Sequence, residues 1–462
     1  MPVNNTHPEY DIFLPKWQRA RYIIAGEDHV KAAGERLLPR IGAHTDEEYS
    51  AYKNRAAFYN AAARTAAGYV GMIFRRPPFV KFPAPQPHFE TDSDLLGSTL
   101  PEYSRQVVTE AIHLGRCATL IDWNEDQDRP FCILYKAEDI LNWRVERVAG
   151  KMRATLIVLR ERIPARSKAD PFDSTTTEQL RILRLLDGIY FWQTLRLNTE
   201  SKTWMLIDSG VPLRKNNALP AIPFVFHGSA NGRATVNPLP LDDLIALNLD
   251  HYRLNADYKH GLHFTALPTA WLAGFGEQRE LKIGSGTVWM TDNPTAKAGY
   301  LEYYGHGLTS FERALERDER LLAILGSRLL EPQKAQPETA EALALKTSGE
   351  ESILSAIATA LSHSLTDVLR WAHWWTTPGT EHFPDQLPDK AVLFNLNQDF
   401  GTTGLDARDL TALVAAWQGK AFSRDTLFEL LRKGEILPDG RTNEQEARLL
   451  STDAPHTPKE QP

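Results

Sequence analysis

Apolar residues recur at three- and four-residue steps over 46–73, where Tyr49, Tyr52, Ala56, Tyr59, Ala63, Ala66 and Val70 share one side of a helix. Thr45 and Glu48 supply a capping-box start. Arg75-Arg76-Pro77-Pro78 supplies the stop, because proline excludes the helical conformation. The spacing therefore predicts one helix over 46–73, preceded by helical segments at 16–25 and 30–38 around Gly26-Glu27-Asp28. Another is predicted over 101–114, ended by Gly115. Beyond it the composition turns to that of strands, at 118–123, 131–136, 142–148, 154–163, 178–197 and 204–208. Hairpin-like connections fall at 149–151 and 198–202, a polar exposed loop at 167–177, and a proline-bounded strand at 219–226.

The helical period returns at 237–260. Leu241, Leu244, Ile245, Leu249, Tyr252 and Ala256 share one face, while Asp243, Asp250 and Asp257, spaced by sevens, stack on the other. From 261 to 305 it is lost again, and strand composition at 264–272 and 287–291 is punctuated by Gly274, Gly276, Gly284 and Gly286. A charged amphipathic helix follows at 309–326, about 27 Å long at 1.5 Å per residue. Pro332 interrupts it. Pro337 suits the first position of a new helix that extends to 376, about 60 Å, with Gly349 as a point of bending. Trp371, Trp374 and Trp375 on that helix read as core or subunit packing. The end of the chain predicts a strand pair around 395–397 and helices at 406–418, at 424–433 behind Ser423, and from Thr442 with its Gln445 box. The proline-rich 451–462 stretch is expected to be a disordered tail.

A chain of 462 residues exceeds what one core usually supports, so two or more units are expected in an α+β architecture. No apolar run reaches the ~18 residues of a membrane span, and the start carries no signal-peptide pattern. Cys117 and Cys132 are expected to be buried, reduced thiols of an intracellular protein. The formal charge of −7 disfavours a protein that grips DNA phosphates, but suits one that lets DNA slide past. Gly274-Phe275-Gly276 lacks the third glycine of a dinucleotide fingerprint, and Gly284-Ser285-Gly286 lacks the spacing of a nucleophile elbow. The 14 histidines are scattered, and no phosphate-cradling loop is present. The expectation is a protein without a catalytic, cofactor or metal site.

The order of mixed unit, descending helix, β-rich turn-around, ascending helix, loop and long helix resembles the portal proteins of tailed bacteriophages. Local runs resemble a portal-like phage and prophage family long labelled a domain of unknown function: HPEYD at 7–11, YNAAARTAAGYVGMIFRRPP at 59–78, LDHYRLNADYKHGLHF at 249–264 and ETAEALALKTSGEESIL at 338–354. The resemblance implies a wing domain at 1–236, stem helices at 237–260 and 306–326, a clip at 261–305, a tunnel loop at 327–336, the long helix at 337–376, a small crown-like unit at 377–450 and the tail beyond. It implies a ring, usually of twelve subunits, at a capsid vertex of the virion, assembled in the host cytoplasm with major capsid and scaffolding proteins. Double-stranded DNA would pass through the channel, and the terminase large subunit and then the head-tail connector would dock on the clip. Arg328, Gln333, Lys334 and Gln336 of the tunnel loop would meet the DNA, and Asp243, Asp250 and Asp257 would line the stem. No membrane partner is implied. The alternatives are another phage head or connector protein, which would lack the helix–clip–helix layout, and a phage-associated enzyme, which would need a convergent nucleophile, base or metal site.

Overall fold

His7 and Pro8 start the first helix: the His7 Nδ1 accepts the Glu9 N–H at 3.2 Å, and Pro8 has no N–H to leave unsatisfied. This helix, α1 (Pro8–Ala25), begins eight residues earlier than the periodicity indicated and buries Trp17, Ala20 and Ile23. α2 (Glu27–Ala33) follows Gly26. The computed structural model describes residues 3–452 apart from 43, 84–85, 149, 165–174, 199–201, 266–268, 276–289, 302–306, 328–351, 378–383, 385–390, 399, 401–406, 435 and 438–440.

The expected single helix over 46–73 is two helices, α3 (Asp46–Arg55) and α4 (Ala61–Ile73). The Thr45–Glu48 box is formed in both directions, as its sequence signature predicts. Between them Ala56 is extended and Asn60 restarts the helix by accepting the Ala63 N–H at 3.0 Å. Two asparagines of a later helix hold the gap open. Asn255 Oδ1 accepts the Ala57 N–H at 2.9 Å, and Asn248 takes the Ala62 N–H at 3.0 Å while donating to the Tyr59 carbonyl at 2.8 Å. After the short strand β1 (Phe79–Lys81) and α5 (Pro87–Thr91), α6 (Leu100–Leu114) starts on a Thr99–Glu102 box. It ends at Gly115, whose φ of 75° is left-handed and whose Cβ position lies 2.5 Å from the Pro238 carbonyl oxygen.

The strands are β2 (Arg116–Asn124), β3 (Arg129–Lys136), β4 (Ile140–Val148), β5 (Lys151–Pro164), β6 (Thr176–Leu186), β7 (Ile189–Leu197), β8 (Trp204–Gly210), β9 (Leu213–Arg214), β10 (Asn217–Ala218) and β11 (Phe224–Gly228). The expected strand over 178–197 is a hairpin. Asp187 and Gly188, at φ 51° and 77°, make the two-residue turn that twists the flanking strands correctly. β4 to β8 form an antiparallel meander in chain order, and β11-β2-β3 form a second sheet. Most of the predicted polar loop at 167–177 lies outside the described residues.

α7 (Asp242–Thr265), the hairpin of β12 (Thr269–Ala273) and β13 (Lys297–Leu301), and α8 (Leu308–Ser327) come next. The strand expected at 287–291 is not where β12 finds its partner: residues 290 and 291 are outside any strand, and β12 pairs with β13 instead. α7 also runs five residues past the expected boundary at 260. The helix expected over 337–376 does not run unbroken through residue 352, and residues 337–351 lie outside the described residues. Ser352 is extended, at φ −67° and ψ 158°, and its side chain caps α9 (Ile353–Thr376) by accepting the Ser355 N–H. β14 (Leu393–Asn395) pairs with β1, three hundred residues earlier in the chain, rather than with a neighbour near 397. α10 (Ala407–Gln418), α11 (Arg424–Lys433) and α12 (Asn443–Thr452) match the predicted terminal helices, with Ser423 and Thr442–Gln445 capping as expected. The tail beyond 452 lies outside the described residues.

One apolar cluster runs from Tyr10 through the sheets to α9 and Leu396, so a boundary at 236 does not separate two cores. α9 lies on β2, β3, β11 and β14. Its Trp371, Trp374 and Trp375 are buried, with Trp375 stacked on Trp123 at 6.0 Å.

Candidate channel-facing helix pair

α7 and α8 pack antiparallel. Tyr258 donates to Glu312 at 2.7 Å, His251 Nε2 lies 3.7 Å from Glu319 Oε1, and a Cβ at Gly261 would sit 3.1 Å from Leu308 Cδ2, so partners descend along one helix as they ascend the other. The two helices were expected to project together from the mixed unit. They do pack together, but α7 is embedded over most of its length. Leu244, Ile245, Asn248, Leu249, His251, Tyr252 and Ala256 are buried against α1, α3 and α4. No residue of α7 beyond Ala256 is buried. α8 buries Leu315, Asp318 and Leu322 and leaves its other charges exposed.

The apolar stripe predicted for α7 is the buried one. Its three aspartates have three different surroundings. Asp243 is exposed, beside a cavity of about 340 Å³ that Leu239, Leu325, Ile353 and Ile357 also line. Asp250 is exposed, 3.7 Å from Arg253 one turn on. Asp257 is half-buried and accepts a 2.6 Å hydrogen bond from Tyr52 of α3. Burial and then this carboxylate push the Tyr52 phenol far above its ordinary range. Asp242, outside the predicted stripe, is held by Lys16 at 3.0 Å and Arg19 at 2.5 Å. Arg328, Gln333, Lys334 and Gln336 lie outside the described residues.

At its exposed end α7 carries His260, whose ring sits 5.2 Å from Tyr52, 5.4 Å from His44 and 4.7 Å from Phe264, with Arg55 3.3 Å from its Nδ1. Burial, then Arg55 and His44, lower its pKa. Among the described residues no group of three or more His, Cys, Asp or Glu is placed to hold a metal ion, and no helix is long and apolar enough to cross a membrane.

Two buried polar features escaped the sequence reading. Tyr103, Thr119, His227 and Ser364 form a chain of 2.7, 2.7 and 2.8 Å hydrogen bonds that ties α6, β2, β11 and α9 together. Burial lowers the His227 pKa to about 3, so its ring is neutral. A serine beside a histidine is half of a hydrolytic triad, but here the ring is sealed in the core at 0% exposure and Ser364 at 3%. Arg116 is 2% exposed, its guanidinium 3.9 Å from the Trp143 ring and 4.8 Å from Phe226. No hydrogen bond reaches its three side-chain nitrogens, and burial lowers its pKa to about 9. Neither contact has a periodicity or a motif that would announce it.

A sequence family described as Domain of unknown function (DUF4055) matches residues 240–376, which run from the root of α7 to the end of α9. No curated protein matches the chain. Among solved structures, chains from the "Virion of native gene transfer agent (GTA) particle" and the "Neck of empty GTA particle computed with C6 symmetry" superpose with a TM-score of 0.38, at 11% and 12% identity. One from the "Neck of native GTA particle computed with C12 symmetry" gives 0.34 at 10%. Each alignment covers 88% of this chain and 98% of the other. At these scores the likeness carries no argument about function.

Proposed function

We propose that this chain is a portal-type structural protein of a tailed-bacteriophage virion. On this reading it forms a ring of twelve copies at a capsid vertex, through which double-stranded DNA is packaged and ejected. The observation that carries the proposal is the antiparallel α7–α8 pair, joined across the β12–β13 hairpin and rooted in a mixed α+β body. On this reading the exposed charges of α8 turn toward the ring axis, while the apolar stripe of α7 holds the body together.

On this reading Asp243 and Asp250 keep the wall from holding phosphate, and the hairpin receives the terminase large subunit and later the head-tail connector; the tunnel loop expected at 327–336 lies, beyond Ser327, outside the described residues. The reading includes no catalysis; work on DNA comes from the docked terminase.

Electron microscopy of the purified full chain tests the reading. Class averages of closed rings with a central channel are expected. A monodisperse monomer under every salt and concentration tried would overturn the proposal.

A further inference from the structure

Among the described residues β8 is one edge of the five-stranded sheet and pairs only with β7. Met205, Leu206 and Ile207 on it are 50%, 54% and 50% exposed. The register slips between Thr194 and Leu195, which face Asp208 and Leu206, so Ile207 is the extra residue of a bulge. A bulge interrupts the backbone ladder and turns consecutive side chains toward one side, so this edge offers an apolar surface rather than a clean row of hydrogen-bonding groups. Leu197, Val211 and Leu213 extend it, all at least 40% exposed. Half-exposed side chains of this number amount to several hundred Å². That is as much apolar patch as monomers usually carry, and a large part of the ~800 Å² each partner gives a stable interface.

The opposite edge of the same sheet is different. The first half of β4 is covered: His7 donates its N–H to the Leu141 carbonyl at 2.9 Å and stacks on Trp143 at 3.9 Å. The second half is open, with Arg144, Glu146 and Arg147 exposed and Val145 and Val148 half-buried between them. The β8 strip contains the exposed carboxylate of Asp208. One edge is thus apolar with an acid in it, and the other carries Arg144, Glu146 and Arg147, a formal surplus of one positive charge, with valines between them.

We infer that the β8 strip of one copy packs on the open half of β4 of the next, with Asp208 facing Arg144 and Arg147. The two surfaces differ, so the contact is head-to-tail and propagates into a closed ring or an open filament. The inference stands on the two sheet edges; it agrees with a portal ring, and a filament would satisfy it equally.

The test is the oligomeric state of the full chain by light scattering and electron microscopy. The wild-type chain is expected to assemble, and Leu206→Asp with Ile207→Asp to give monomers whose circular dichroism and melting temperature match the wild type. Asp208→Arg alone, or Arg144→Asp with Arg147→Asp, should weaken assembly about tenfold each. All three charge reversals in one chain should restore it, because every junction then regains opposite signs. Rings that persist in the Leu206/Ile207 variant, or a reversal that restores nothing, would sink the strip contact and leave the portal reading standing. A wild-type chain that is monomeric throughout would sink both.

Discussion

The phenol of Tyr52 on α3 donates to the carboxylate of Asp257 on α7 across 2.6 Å. The aspartate that completes the acidic stripe is therefore also a fastening between two helices. Tyr52→Phe should destabilise the fold by about 1.5–3 kcal/mol, the scale of a hydrogen bond to a charged acceptor. The same variant should alter the alkaline limb of the pH profile. The folded-state pKa of this phenol is raised above its unfolded value near 10, so its contribution is complete below about pH 10 and is lost as pH rises toward the folded value. Denaturant titrations from pH 8 to 11 should show wild type losing the difference between the two proteins. Parallel curves would exclude a role for this bond.

The gap between α3 and α4 depends on Asn248, which is fully buried. Asn248→Ala would strand the Ala62 N–H, while the Tyr59 carbonyl keeps the Ala61 N–H at 2.9 Å. A loss of about 1–3 kcal/mol is expected, the cost of one unsatisfied buried group. Amide exchange should rise first at Ala62. If it remains protected, the gap is held by something other than Asn248.

His227 ties acid stability to the core. Its folded pKa of about 3 lies below the unfolded value near 6.5, so the stability it confers is present above pH 6.5 and is lost as pH falls toward 3. The slope approaches about 1.4 kcal/mol per pH unit for one proton taken up on unfolding. His227→Gln, which keeps a neutral polar side chain, should flatten the decline between pH 6 and 4 even if it lowers stability at pH 7. An unchanged slope would place the acid-sensitive group elsewhere.

The channel reading is tested at Asp243 and Asp250, which are exposed, whereas Asp257 is half-buried against Tyr52. Replacing these two by lysine should leave rings intact and make them retain DNA. Packaging should stall more at low salt than at high salt, as phosphate contacts are salt-sensitive. Normal packaging at every ionic strength would reduce the stripe to a solvated helix face.

Much of this was legible before any coordinates, and the exceptions have physical causes. Thr45–Glu48 and Gly115 act locally, so their spacing alone identified a helix start and a helix stop. The apolar face of α7 was equally plain. The break at 56–60 was not, because it contains neither proline nor glycine and its backbone is satisfied by Asn248, which bonds Ala62 from 186 residues away. Asp187-Gly188 is a hairpin signal in its own right, but it sits inside a long apolar stretch that reads as one strand. Ser352 was overshadowed by Pro337, a stronger-looking start. Among the candidate site residues, the seven-residue spacing placed the aspartates on one helix face, yet nothing local could show that Tyr52 reaches the third.

α7 is 24 residues, about 36 Å, clamped along its first four turns and unburied at its far end. Mechanically that is a cantilever. α7 has no proline, and its one glycine, Gly261, lies close to the hairpin, so a sideways push transmitted past that residue meets no glycine hinge or proline kink between His260 and Asp242. The deflection reaches the point where the beam enters the body, and the groups at that point are Tyr52, Asn255 and Asn248, which hold α3 and α4. Whatever seats on the hairpin therefore pulls first on the gap between those two helices, some distance from where it binds.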